Sequence, residues 1–241
     1  MPDHTPDHRL EHAPGLLIRG FTPPLPLSSF KAIAFDMDST LINIECIDEI
    51  ADAVGKKAEV AAITEAAMRG EITDFQDSLR RRVALLKGVP AEALQQVYDE
   101  RLHLNPGAMT LVAAARNAGL HTLLVSGGFT FFADRVRERL SMDEAHANTL
   151  DIEGGLLTGR VLGDIVDGEA KKQHLLALCA RLGCDPRHSI AVGDGANDLP
   201  MMGVSGLSVA FHAKPKVQAQ AMVAICEGGL DRLLEVVSWA P

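Results

Sequence analysis

The stretch KAIAFDMDSTLINIE, residues 31–45, decides the fold. Its first five residues, Lys31 to Phe35, form a short apolar run of the kind that becomes a strand buried on both faces of a parallel sheet. Two carboxylates, Asp36 and Asp38, follow at once. Side chains two apart on a strand point the same way, so these like charges crowd each other unless a cation stands nearby or one carboxyl keeps its proton.

Similar runs recur at 121–126 (HTLLVS), 189–194 (SIAVGD), 206–211 (GLSVAF) and 222–226 (MVAIC). Helical spacing separates the later ones: Leu175, Leu178, Cys179 and Leu182 fall at i, i+3, i+4 and i+7, and Gly183 stands where a helix ends. The alternation predicts an α/β fold with a Rossmann-like, doubly wound parallel sheet. Residues 44–105 break the rhythm. Ile47, Ile50, Ala51 and Val54 make one helical stripe, and Phe75, Leu79, Val83 and Leu86 make another. We expect a helical cap domain at 44–105, inserted after the first strand, with 31–43 and 106–241 forming the core. The segment ANTLDIEGGLLTGRV predicts an antiparallel hairpin that turns at Glu153-Gly-Gly155. Residues 1–30, with Pro23, Pro24 and Pro26 before the first core strand, are expected to be a flexible leader.

Composition excludes several functions. A net charge of −9, with one Trp, one Tyr and eight Phe, offers neither a broad cationic face nor stacking platforms for nucleic acid. The four cysteines, Cys46, Cys179, Cys184 and Cys226, form no C-x-x-C pair and no zinc-site spacing, which suits free thiols in a reducing cytoplasm. No apolar run is long enough to span a bilayer, and the N-terminus lacks the apolar centre of a signal peptide. A cytoplasmic chain acting on a small molecule is expected; monomer and homodimer stay open.

The polar motifs gather where ligands bind in open α/β sheets, beyond the carboxyl ends of strands. They are Asp36-Met-Asp38, Ser126-Gly127-Gly128 and Gly193-Asp194-Gly-Ala-Asn197-Asp198. Each is weak alone: acidic pairs are common on surfaces, and the Gly-rich stretches can be turns that cap helices. All three, each after a strand, carry the argument. Asp36 and Asp194 can share a divalent cation, and hard oxygen ligands suit Mg²⁺. A carboxylate there can attack phosphorus, and a second one two residues on can protonate the leaving oxygen and then deprotonate water. Glycine N–H groups and the Ser126 hydroxyl suit a phosphate, and Lys171 can supply the fixed positive charge that phosphoryl transfer needs.

Together, DMDST, SGG, a lysine and GDGAND resemble the four motifs of the haloacid dehalogenase (HAD) superfamily of phosphohydrolases, a likeness that spans about residues 31 to 235. The resemblance implies Asp36 as nucleophile and Asp38 as general acid and base. It implies Mg²⁺ held by Asp36, Asp194 and the backbone carbonyl of Asp38, and phosphate held by Ser126, Gly127 and Lys171. Lys171 is preferred to Lys172 because the family's lysine stands four residues before a helix leucine, here Leu175. Asn197 and Asp198 resemble the polar residues that support these sites. The helical insertion resembles the cap of superfamily members that hydrolyse O-phospho-L-serine in serine biosynthesis. Within it Glu45 matches the acid that faces the substrate ammonium, Arg82 the arginine that faces its carboxylate, and Met68 and Phe75 the cap lining. Another small ester, such as phosphohomoserine or phosphothreonine, is the alternative substrate. A receiver domain also takes phosphate on an aspartate, but Asp38 and the cap favour turnover over storage.

Overall fold

The computed structural model describes residues 9–68 and 74–238. Its strands are β1 (Leu10–Ala13), β2 (Leu16–Ile18), β3 (Leu25–Pro26), β4 (Ala32–Phe35), β5 (His121–Phe129), β6 (Glu144–Glu153), β7 (Leu156–Leu162), β8 (Ser189–Gly193), β9 (Leu207–Phe211), β10 (Val223–Ile225) and β11 (Val237–Ser238). Its α-helices are α1 (Cys46–Ala53), α2 (Lys57–Met68), α3 (Phe75–Ala84), α4 (Glu92–Glu100), α5 (Ala108–Asn117), α6 (Thr130–Leu140), α7 (Gly168–Arg181), α8 (Leu199–Val204) and α9 (Pro215–Gln218). All five apolar runs are strands. None of the described helices is long and apolar enough to cross a membrane.

Nine strands form one sheet in the order β1-β2-β10-β9-β8-β4-β5-β6-β7. Its centre, from β10 to β6, is parallel, and both flanks are antiparallel. The winding reverses at β4, because the chain goes first to β5 and β6 on one side and only later returns to β8 on the other. Such a reversal opens a crevice at the carboxyl edge, where the ends of adjacent strands diverge. Asp36 follows β4 and Asp194 follows β8 at that crevice.

Side-chain alternation gives the sheet two unlike faces. Ile33 and Phe35 of β4, with Ile190 and Val192 of β8, join the larger core. Ala32, Ala34, Ala191 and Ala210 face the other way, against Leu175, Leu178 and Cys179 of α7 and Met201 of α8. Small side chains let α7 lie close over β4.

The helices α1 to α4 all fall between β4 and β5. Cys46, Ile47, Ile50 and Ala51 bury one face of α1, and Leu79 and Val83 one face of α3. The hairpin β6–β7 grips this insertion through backbone bonds: Gly88 N–H to Leu157 C=O, Leu157 N–H to Val89 C=O and Ala91 N–H to Gly155 C=O, each 2.8 Å.

The expected leader needs correction over residues 10–30. Pro14 and Gly15 (φ +69°) turn β1 back into β2, which pairs antiparallel with β10, Ile18 opposite Val223. Burial of Leu16 and Ile18 accounts for the attachment. Leu25–Pro26 pairs with β11. Residues 1–8 and 69–73 lie outside the described residues, as does the side chain of Met68.

Candidate active site

Asp36 is fixed by the sheet itself. Its N–H donates to the Val192 carbonyl of β8 at 2.9 Å, continuing the parallel ladder one residue past β4. Its Oδ1 accepts from Met37 N–H at 2.7 Å, and its Oδ2 lies 2.8 Å from Lys171 Nζ. Lys171, in the first turn of α7, is fully buried and also donates to Asp198 Oδ1 at 2.7 Å. Burial alone would pull this ammonium's pKa down, but Asp198 and Asp36 outweigh it and hold the pKa above the usual lysine range. Lys172 instead pairs with Glu169 at 3.0 Å on the outer side of the helix.

After Asp36 the chain leaves the strand direction through Ser39, at φ +55°. This bend turns the Asp38 carboxyl toward α1, where it accepts from Cys46 N–H at 3.2 Å and lies 3.1 Å from the thiol. Burial, then Glu45 and Asp36, push its pKa well above the ordinary carboxylate value. The paired acids therefore find both escapes: Asp36 has an ammonium, and Asp38 favours its proton.

The GDGAND loop supplies the second wall. Asp198 is fully buried, and its Oδ2 accepts from the N–H groups of Asp194 (3.1 Å) and Gly195 (3.0 Å). A Cβ on Gly193 would stand 2.3 Å from that Oδ2, so only glycine fits there. Burial and Asp36 push Asp198 up to about 6 against the pull of Lys171. Asp194 accepts from the Thr40 hydroxyl at 3.1 Å and is pushed up to about 7, by burial first and then by Asp36, Asp198 and Glu45. Oxygen atoms of Asp36, Asp194 and Asp198 lie within 4.8 Å of one another. Lys171 pairs with only two of these carboxyls, Asp36 and Asp198, and the all-oxygen donor set fits a divalent cation. The Asp38 carboxyl stands outside this cluster.

Ser126 is buried, its Oγ accepting from Gly128 N–H at 3.0 Å. The Gly127 carbonyl accepts from Asn148 Nδ2 at 2.8 Å, while Asn148 Oδ1 accepts from Val166 N–H at 2.8 Å. Asn148, buried on β6, thus bolts the Ser126-Gly127 loop to the segment leading into α7. Sequence reasoning missed it. Its one signal was a polar residue midway along β6, just before the residues that pair with β7.

A cleft of about 820 Å³ joins these parts to the helical insertion. Asp36, Asp38, Ser126, Gly127, Asp194 and Asn197 line it from the core, and Glu45, Phe75 and Arg82 from the insertion. Lys171 and Asp198 sit behind that lining. Glu45 Oε1 accepts from the Ser39 hydroxyl at 2.6 Å, and loss of water around Glu45 pushes its pKa up. The Arg82 guanidinium makes a long 3.4 Å bond to Ser78 C=O, with Asp48, Glu45 and Asp38 offsetting part of its burial. Phe75 closes over Gly127, since a Cβ there would lie 3.0 Å from its ring.

Fold, strand-end acids and buried lysine define a phosphohydrolase-type site, and the family model of haloacid dehalogenase-like hydrolases matches residues 33–203. The chain belongs to that family. A protein of Polaromonas sp. (strain JS666) named phosphoserine phosphatase is 65% identical over 231 residues, covering 94% of this chain and 98% of the relative. Its counterpart of the same name in Haemophilus influenzae is 52% identical, over 88% of this chain and 67% of the relative. A solved structure described as a substrate-bound phosphoserine phosphatase complex superposes with a TM-score of 0.81 at 38% identity, covering 87% of this chain and 99% of the other.

Proposed function

We propose that this chain hydrolyses O-phospho-L-serine to L-serine and phosphate, with Mg²⁺, in the cytoplasm, as the last step of serine biosynthesis. The observation that carries the reading is a carboxyl pushed toward its protonated form, Asp38, two residues beyond an ammonium-bound carboxylate, Asp36, in a cleft shared with Glu45 and Arg82.

Asp36 attacks phosphorus with one carboxylate oxygen, and the bond from phosphorus to the serine oxygen breaks as Asp38 delivers its proton to that oxygen. Asp38, now a carboxylate, takes a proton from water. The water oxygen then attacks phosphorus, and the bond to Asp36 breaks. Lys171 orients Asp36 and balances charge that collects on the phosphoryl oxygens. Ser126 and the Gly127 backbone receive those oxygens, and Asn197 supports them. A Mg²⁺ ion held by Asp36, Asp194 and the Asp38 carbonyl would draw electron density from the phosphoryl group. Glu45 takes the substrate ammonium and Arg82 its carboxylate, an anion and a planar cationic fork held apart by the cleft.

The test is Mg²⁺-dependent phosphate release from O-phospho-L-serine and from O-phosphoethanolamine, which lacks only the carboxylate, with wild type and Arg82→Ala. A strong wild-type preference for phosphoserine that Arg82→Ala abolishes supports the reading. Equal rates on both esters in wild type would move the assignment to another small phosphate ester.

A further inference from the structure

The HAKPKV stretch at 212–217 contributes nothing to the chemistry above, yet two of its side chains, Lys214 and Lys216, line the same cleft. They differ from the other cleft cations. Lys171 is buried behind the nucleophile and Arg82 lies within the helical insertion, whereas both rim lysines are exposed. Neither rim ammonium has a carboxylate partner among the described residues.

The backbone that carries them is firmly held. His212, at φ +45°, donates its N–H to the Ile225 carbonyl at 2.8 Å, and its ring Nε2 lies 2.8 Å from the Gly228 carbonyl. Gln218 donates to the Ala213 carbonyl at 2.7 Å. Val217 is buried, and Pro215 between the lysines fixes one more torsion. A rigid platform thus presents two uncommitted positive charges to solvent.

Their surroundings give these charges a purpose. The chain carries a net charge of −9, and Asp36, Asp38, Glu45, Asp48, Asp74 and Asp194 all line the cleft. A phosphate monoester near pH 7 carries close to two negative charges and meets a repulsive field on approach. We propose that Lys214 and Lys216 form an electrostatic entrance that draws the phosphate dianion past the acids into the cleft. The proposal rests on the phosphatase reading and deepens it. The lysines act on capture and not on bond breaking.

The experiment measures kcat and KM with O-phospho-L-serine across ionic strength, for wild type, Lys214→Gln/Lys216→Gln and Lys214→Arg/Lys216→Arg. At low salt the Gln pair should lower kcat/KM about tenfold, the low end of what steering supplies, with kcat within about twofold of wild type. The gap should close at high salt, where exposed charges are screened. The Arg pair, which keeps the charge, should match wild type. Calorimetry with inorganic phosphate at low salt should show the same loss of affinity in the Gln pair, and this arm reads the entrance even if phosphoserine is not the substrate. A salt-independent loss, a loss confined to kcat, a defect in the Arg pair, or no change in any variant would overturn the proposal. A wild type that binds phosphate normally but turns over no phosphoserine would overturn the substrate assignment instead.

Discussion

Gln76, on α3 of the helical insertion, donates its side-chain N–H to Asp167 at 2.7 Å, across 91 residues of sequence. Asp167 is the N-cap of α7, its other oxygen accepting from Ala170 N–H at 2.9 Å. One carboxylate therefore starts the helix that carries Lys171 and ties the insertion to the core.

Replacing Asp167 by Ala should cost about 1 kcal/mol through loss of the cap. The Ala170 N–H and Gln76 hold this carboxyl below its usual range. Its contribution is therefore present above the unfolded carboxylate pKa of about 3.9 and is lost as pH falls through the lower folded value. Urea unfolding of wild type and Asp167→Ala at pH 7 and near pH 3 checks this, the difference between them shrinking in acid.

Lys171→Ala should abolish phosphate release and leave Asp36 and Asp198 facing each other without a cation. Removing one partner of a buried ion pair costs about 3–5 kcal/mol. Denaturation followed by circular dichroism reads that loss separately from activity, and Lys172→Ala, on the solvent side of the same helix, should change neither by more than about 0.5 kcal/mol.

Divalent cation binding should compete with protons near neutrality. Asp194, pushed up to about 7 in the metal-free chain, keeps its proton below that pH. Relative to an unfolded value of about 3.9, this group makes the metal-free chain lose stability as pH rises from about 4 to about 7. Mg²⁺ should then raise the melting temperature more at pH 8 than at pH 6. Its apparent affinity should fall by up to about tenfold per pH unit in the acid limb. Asp194→Asn should remove most of the melting-temperature increment at both pH values.

Asn148→Ala leaves the Gly127 carbonyl and Val166 N–H without their partner. The cost in stability should be about 1–3 kcal/mol. Released from its bolt, the Ser126-Gly127 loop should hold phosphate less well, so that KM for phosphoserine and the inhibition constant for inorganic phosphate rise together in steady-state assays.

The core strands and the strand-end acids were legible because each is local: an apolar run of strand length, then a carboxylate or glycine at its end. The insertion was legible as a break in the alternation of strand and helix. The N-terminal strands β1 and β2 were not, since Leu16 and Ile18 find their partner β10 some 200 residues away, and that pairing leaves no local periodicity. Asn148 escaped for a similar reason. Its partners lie apart in the chain, Gly127 near the end of β5 and Val166 in the segment before α7, and an isolated amide in a hairpin looks like any solvated strand residue. Lys171 was told from Lys172 by its place four residues before Leu175, which puts it on the buried face of α7 and Lys172 beside Glu169.

The alanine face of the sheet shapes the candidate site without lining its cleft. Ala32, Ala34 and Ala191 set how near α7 lies to β4, and so whether an ammonium anchored on one can meet a carboxylate anchored on the other. A saturation-mutagenesis map of this protein should therefore score added methyl groups at these alanines almost as harshly as changes to the acids themselves. Such a map, taken without the structure, would count spacers among the reacting groups.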